Sequence, residues 1–194
     1  MKLYSNLIKK NFKEHQKVLI KSLSVLENKI LFAAEIISNS LKNKNLVMWC
    51  GNGGSASDSL HLSAELIGRF KKNRKPLNSI SLAGNSSTLT CISNDFGYKN
   101  LFSRQVKALG KKGDTLIVIS TSGNSDNIFR ALIEAKKIGV KTIALLGNNG
   151  GKCKGLSNVD LVVPSKSIAR TQEMHILIGH IICELIERKL NLSK

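Results

Sequence analysis

The sequence predicts an α/β fold: a parallel sheet with helices on both faces, preceded by a helical arm. Two observations support this. Five short apolar runs rich in β-branched residues alternate with stretches of helical periodicity. The runs are apolar at nearly every position, which is typical of strands in a parallel sheet that is covered on both sides. Because ligands of such sheets bind at the carboxyl ends of the strands, the loops there are where a site is expected.

The N-terminal residues 1–44 predict helix rather than strand. Their leucines and isoleucines recur mostly three or four positions apart, which places them on one side of a helix. This segment is expected to form a helical hairpin or an arm. Since no linker, repeat or low-complexity tract interrupts the chain, we expect one domain over 1–194, with the arm at 1–44 and the α/β core at 45–194.

The apolar runs and the periodic stretches define the elements of the core. The predicted strands are 45–50, 78–83, 114–120, 140–146 and 159–163. The predicted helices are at about 55–70, 98–110, 125–138 and 170–191. Pro164 ends the last strand because proline cannot continue a hydrogen-bonded ladder.

Composition excludes several classes of function. Lys and Arg outnumber Asp and Glu by 30 to 13, a net charge of +17, but the basic residues are spread along the chain. Aromatic residues make up only 5%, too few to stack single-stranded nucleic acid, so no nucleic-acid partner is expected. The positive field would attract an anionic substrate.

The chain is also expected to be cytoplasmic and to have no membrane partner. It contains no apolar run of the roughly 18–20 residues that a membrane span needs, and its first residues do not resemble a secretory signal. The four cysteines are far apart and form no C-x-x-C pair. We interpret them as free thiols in a reducing compartment.

The loop after the first predicted strand has the sequence GNGGSAS at 51–57. Its glycines let the backbone approach a ligand closely and direct N–H groups toward it. A dinucleotide is disfavoured because residues 77–85 contain no acidic group for a ribose. A glycine-rich turn that serves packing alone is the other interpretation.

The loop after the third predicted strand, STSGNS at 120–125, comes directly before a helix. Its four hydroxyls and several backbone amides lie where the helix dipole favours an anion. An ordinary helix cap needs only one hydroxyl, so the set predicts a site for a phosphomonoester. The Walker-like segment GNNGGK at 147–152 is one residue short and is followed by a cysteine, which disfavours a triphosphate.

Two predicted helices carry residues suited to metal binding or proton transfer. His61 and Glu65 are four positions apart and therefore share a helix face, and Gln172 and His180 can border one cavity on the last helix. Histidine and glutamate are zinc ligands, and the same pair can serve as acid and base. On spacing alone the signal is weak, because a histidine and a glutamate four positions apart on a helix most often form a surface pair.

Taken together, these motifs resemble the phosphoheptose isomerase family of the sugar-isomerase (SIS) domain superfamily. Several segments in order along the chain carry the resemblance: 50–70, 93–114, 119–127 and 163–187. The resemblance implies a five-stranded parallel sheet of the SIS type, Rossmann-like with three layers. It also implies a homotetramer with active sites at subunit interfaces.

The resemblance also implies an activity and roles for individual residues. The expected reaction converts D-sedoheptulose 7-phosphate to D-glycero-D-manno-heptose 7-phosphate through an enediol, with Glu65 and His180 as the acid–base pair. One zinc ion per subunit is expected on His61, Glu65, Gln172 and His180. The residues implied to bind the phosphate are Ser120, Thr121, Ser122 and Ser125. Those implied to contact the rest of the substrate are Asn52, Gly53, Gly54, Ser55, Glu65, Asn94, Asp95 and Gln172.

The chain departs from this family at one corner, where Ile168 and Thr171 replace the residues more usual in relatives and Ala169 stands where some have an acidic residue. Two alternatives stay open. One is a non-catalytic SIS tetramer that binds the bacterial replication initiator, which lacks equivalents of Glu65 and His180. The other is an isomerase of another sugar phosphate.

Overall fold

A computed structural model describes residues 2–191 and confirms the predicted α/β architecture. The five strands are β1 (Val47–Gly51), β2 (Ser79–Ser81), β3 (Thr115–Ser120), β4 (Lys141–Leu146) and β5 (Val159–Val162). The six helices are α1 (Lys2–Lys42), α2 (Gly54–Ile67), α3 (Ser86–Phe96), α4 (Leu101–Leu109), α5 (Asp126–Lys137) and α6 (Ile168–Lys189). None of the helices in this described range is both long and apolar enough to cross a membrane.

The strands form one parallel sheet in the order β2-β1-β3-β4-β5. Gly51 at the end of β1 is in register with Ile119 near the end of β3. The chain moves outward in opposite directions from these two strands, so the loops after β1 and β3 flank the topological switch point. That point is where doubly wound sheets bind their ligands.

Helices cover both faces of the sheet, as the apolar strands predict. On one face, α1, α2 and α6 bury a core that includes Trp49, Ile117 and Leu145 of the strands. On the other, α3, α4 and α5 pack against the alternate strand residues, among them Met48 and Val118. Successive strand side chains point to opposite faces, so each strand needs apolar residues at nearly every position.

The N-terminal segment is a single helix of 41 residues, so the hairpin alternative is wrong and the arm is confirmed. No glycine or proline occurs before Gly51, and nothing therefore turns the chain. The second half of α1 buries residues such as Leu26, Ile30 and Ile37 against the core. Most of its first half is exposed, including Leu7 and Phe12.

Helix α3 was not predicted from the sequence. Its Ser, Thr and Ile residues have modest helix propensity, and its apolar stripe is short, with only Leu89 and Ile92 packed against the core. Its boundaries do carry signals, because the Asn85 side chain accepts a hydrogen bond from the Thr88 N–H at 2.9 Å. Gly97 at its end has a φ of 78°, which glycine adopts without strain. Asparagine as N-cap and glycine as stop would have identified this helix.

Candidate active site

The glycine-rich loop is built so that its backbone enters α2 tightly. A Cβ on Gly51 would lie 2.4 Å from the Ser55 carbonyl oxygen, so no larger residue fits there. Gly53, the N-cap of α2, has a φ of 55° and is exposed. The loop therefore presents unhindered backbone at the start of a helix, as an anion site requires.

Asn52 joins this loop to the opposite side of the switch point. Its Oδ1 accepts hydrogen bonds from the Tyr98 hydroxyl at 2.7 Å and from Asn127 Nδ2 at 2.8 Å. Its Nδ2 donates to Asn127 Oδ1 at 2.9 Å. Neither Tyr98 nor Asn127 was singled out in the sequence, although both lie in the motifs that carry the family resemblance. They hold the loops after β1 and β3 in a fixed relation.

Two of the four hydroxyls of the loop after β3 accept hydrogen bonds from backbone N–H groups within that loop. Ser120 Oγ accepts the Gly123 N–H at 3.1 Å, and Ser122 Oγ accepts the Asn124 N–H at 3.2 Å. Ser125 is the N-cap of α5, yet its side chain makes no capping bond. An ordinary cap therefore does not account for this loop, and the side chain of Ser125 stays free of a capping bond that would compete with a ligand.

The Walker-like segment at 147–152 packs against the loop at 120–125 and forms hydrogen bonds with it. Its Lys152 N–H donates to Asn124 Oδ1 at 3.0 Å, and the Cys153 N–H donates to the Gly123 carbonyl at 3.0 Å. A Cβ on Gly123 would lie 2.0 Å from the carbonyl oxygen of Gly150. The glycines of this segment thus allow close packing of two loops.

His61, Glu65 and His180 converge on one point, although His180 is 115 residues from Glu65 in the chain. His61 Nε2 lies 3.2 Å from Glu65 Oε1 and 3.0 Å from His180 Nε2. One candidate ligand atom from each residue lies within 4.8 Å of the others. The structure therefore brings α2 and α6 together as the acid–base and metal hypotheses require.

This trio fits a zinc ion. Ligand atoms of a tetrahedral zinc site, with bonds of about 2.0–2.1 Å, lie roughly 3.3 Å apart, close to the separations of His61 from Glu65 and His180. The His61 Nε2 atom carries either one proton or one lone pair, so it cannot form a good hydrogen bond to both neighbours at once. A cation between them would satisfy all three. Burial lowers the pKa of His180, and neighbouring His61 lowers it further while Glu65 opposes the shift.

Gln172 lies apart from this trio within the chain. It precedes His180 by two turns, about 12 Å along the axis of α6. A Cβ on Gly54 would lie 2.1 Å from Gln172 Nε2, so the amide is packed on the glycine-rich loop. Its role as a fourth zinc ligand stays a prediction, and its position suits a contact with the substrate.

Asp58 was missed by the sequence reasoning. It lines a cleft of about 340 Å³ together with Ala169, Gln172, Glu173 and Ile176. Its Oδ2 is buried and has no hydrogen-bond partner in the described part of the chain. Burial raises the pKa of Asp58, and His61 opposes that shift. A half-buried carboxylate with one buried oxygen, beside two predicted site residues, is a signal that only the structure provides.

Asn94 and Asp95 lie in the last turn of α3, and both are exposed. Asn94 Nδ2 donates to Asp95 Oδ1 at 2.8 Å. Tyr98, three residues later, is the residue that contacts Asn52. Asn94 and Asp95 thus lie close in sequence to a residue that contacts the glycine-rich loop. Their own contact with the substrate stays a prediction.

Comparisons with known proteins agree with this geometry. A family model described as SIS domain matches residues 11–147. A phosphoheptose isomerase of Helicobacter pylori strain Shi470 is 50% identical over 186 residues, 96% of this chain and 97% of the relative. That of a Nitratiruptor species is 52% identical over 180 residues, 93% and 96% of the two chains. The chain belongs to the phosphoheptose isomerase family.

Solved structures of this family share the fold closely. A phosphoheptose isomerase from Francisella tularensis superposes with a TM-score of 0.92 at 37% identity, covering 95% of this chain and 98% of that one. One from Neisseria gonorrhoeae gives 0.89 at 38% identity, covering 95% and 99%. As a member of the phosphoheptose isomerase family, the chain is a sugar-phosphate isomerase. The alternative of a non-catalytic SIS protein is therefore wrong.

Proposed function

We propose that this enzyme converts D-sedoheptulose 7-phosphate to D-glycero-D-manno-heptose 7-phosphate, the first step of nucleotide-activated heptose biosynthesis. The convergence of Glu65 and His180 from two helices is the observation that carries the proposal. It provides a carboxylate and an imidazole at one point in a chain whose relatives at about half identity are phosphoheptose isomerases. An aldose–ketose isomerisation needs such a pair, since one proton moves between carbons and another between oxygens.

In this mechanism Glu65 removes the proton from the carbon next to the carbonyl, forming an enediol, and then returns a proton to the former carbonyl carbon. His180 transfers the proton between the two oxygens, and burial favours its neutral ring, which has a lone pair that can accept a proton. His61, Glu65 and His180 would hold a zinc ion, which would supply Lewis acidity for the carbonyl. Gln172, two turns away in the same chain, would join them as the fourth ligand only across a subunit interface. Glu65 would act as the base only while it does not bind the metal, because one carboxylate cannot fill both roles at once.

The loops at the switch point would hold the rest of the substrate. We assign the phosphate to Ser120, Thr121, Ser122 and Ser125, whose loop opens onto the N-terminus of α5. The Ser125 side chain, free of a capping bond, and the fixed position of the glycine-rich loop support this assignment. The sugar would contact the glycine-rich loop at Asn52, Gly53, Gly54 and Ser55, the end of α3 at Asn94 and Asp95, and Gln172 of α6.

We also propose a homotetramer whose active sites lie between subunits. Glu65 follows Gly54 by eleven residues, about 16 Å along α2, so the trio of one chain is far from its own glycine-rich loop. A second copy could bring its trio to that loop. Exposed apolar residues in the first half of α1, such as Leu3, Leu7 and Phe12, support burial of this helix in an assembly.

Two further assignments concern the chain as a whole. We propose that residues 1–194 form one SIS domain, because α1 packs along α6 and the sheet and shares their core. We also propose that the enzyme works in the cytoplasm. All four cysteines are free thiols in the described part of the chain, three of them buried, as a reducing compartment allows.

The test is direct. Purified enzyme is incubated with sedoheptulose 7-phosphate, and the aldose product is followed by NMR. Turnover should depend on the phosphate, so sedoheptulose itself should be a very poor substrate. Faster turnover of another ketose phosphate, or equal efficiency with and without phosphate, would contradict the proposal.

A further inference from the structure

The segment that follows α2, residues 68–75, binds both helices of the trio; we call it the strap. Arg74 in the strap donates from Nη2 to the carbonyl oxygen of Glu65 at 2.7 Å and from Nη1 to that of Leu66 at 2.8 Å. These carbonyls belong to the last turn of α2, where intrahelical donors are lacking. Arg74 therefore caps the end of the helix that carries His61 and Glu65.

The strap is also bound to α6, through Glu187. Its carboxylate accepts hydrogen bonds from the backbone N–H groups of Phe70, Lys71 and Lys72 at 3.0–3.1 Å and from Arg74 Nε at 2.9 Å. The Arg74 and Glu187 side chains are only 1% and 2% exposed. Burial alone would raise the pKa of Glu187, but these donors outweigh it and hold the pKa below its ordinary value. A buried ion pair thus ties the strap, and through it α2, to α6.

Phe70 of the strap contacts the site directly. The Phe70 ring stacks on the His180 ring with centroids 5.4 Å apart and an angle of 24° between the planes. His180 and Glu187 are seven residues apart, two turns on one face of α6. Glu187 thus holds the backbone of Phe70 while the Phe70 ring covers His180.

A role in folding alone does not account for these contacts. Burying a charged pair costs desolvation, and apolar side chains of similar volume often stabilise as well. Here each member of the ion pair also forms a hydrogen bond next to the site. Arg74 donates to the carbonyl of Glu65, and Glu187 accepts from the N–H of Phe70. Aromatic and hydrogen-bonding neighbours of metal-binding histidines commonly fix the ring for its task.

We propose that Arg74, Glu187 and Phe70 are positioning residues of the isomerase. The Arg74–Glu187 pair sets the spacing of α2 and α6, and the Phe70 ring holds His180 toward His61. The inference rests on the roles proposed for Glu65 and His180.

The first test is Phe70→Leu, which keeps an apolar side chain and removes the aromatic face. It should lower kcat and zinc affinity each by about 10–100-fold, with KM within about twofold. The ring-proton resonances of His180 should lose the ring-current shift from Phe70, and Phe70→Tyr should restore all three. Phe129→Leu, a partly buried phenylalanine in the opposite helical layer, is the matched control and should leave them unchanged.

The second test replaces the ion pair by apolar residues, Arg74→Met with Glu187→Leu, since such replacements often retain stability. Cooperative unfolding should persist while kcat and zinc affinity fall as in Phe70→Leu. The proposal is overturned if Phe70→Leu keeps wild-type kcat, zinc affinity and His180 resonances, whatever the pair variant does to folding. If the wild-type enzyme does not isomerise the heptulose phosphate, the proposed function fails. In that case zinc affinity and the His180 resonances of Phe70→Leu still test whether Phe70 positions His180.

Discussion

Lowering the pH from 7.5 to 5 should destabilise the fold through the imidazole of His175. This residue of α6 is fully buried, and neither ring nitrogen has a hydrogen-bond partner in the described part of the chain. Burial lowers the pKa of His175 to about 4, and the nearby backbone of Leu146 opposes the shift only in part. In the unfolded chain the pKa is close to 6.5.

The sign and size of the effect follow from these two pKa values. Between pH 6.5 and 4 the unfolded chain binds more protons at this site than the folded chain, so protonation favours unfolding. The contribution of His175 to stability is fully present above pH 6.5 and is lost as the pH falls toward 4. At pH 5 the loss is about 2 kcal/mol.

Urea unfolding of the wild type and of His175→Met measures this contribution. Methionine has a similar volume and no titrating group, so the free energy of unfolding of the variant should fall by about 2 kcal/mol less between pH 7.5 and 5. Both proteins are measured with chelator present and at one chain concentration, so that neither metal loss nor dissociation contributes. The same decline in both proteins would refute a neutral, buried His175.

Three further outcomes concern the site. Glu65→Gln and His180→Gln should each lower kcat by at least ~10²-fold without changing the elution volume in size-exclusion chromatography; near-normal kcat in either variant removes that residue from the mechanism. Thr121→Val should lower kcat/KM about 10–100-fold, because a hydrogen bond to a charged phosphate contributes roughly 1.5–3 kcal/mol. An unchanged kcat/KM would place the phosphate elsewhere. Exhaustive chelation should abolish most activity and added zinc should restore it, with about one zinc per chain by elemental analysis; full activity after chelation would reduce His61 to a substrate contact.

Much of the fold could be predicted because its signals are local. The β-branched runs, the absence of glycine and proline before residue 51 and the position of Pro164 act within a few residues. From these signals, the five strands and most helices were predicted to within a few residues of their observed bounds. Helix α3 was missed because its apolar stripe of Leu89, Ile92 and Phe96 is short and its clearest signals, Asn85 and Gly97, lie at its ends.

The sequence by itself also determined the two loops and the His61–Glu65 pair, since strand ends and the spacing of four residues on a helix follow from local geometry. Only the tertiary structure decided that His180 completes this pair, that Gln172 lies instead against Gly54, and that one carboxylate oxygen of Asp58 is buried. The packing of α2 against α6 sets these contacts between residues more than a hundred positions apart. No pattern along the chain encodes such distances, because side-chain packing across the core determines them.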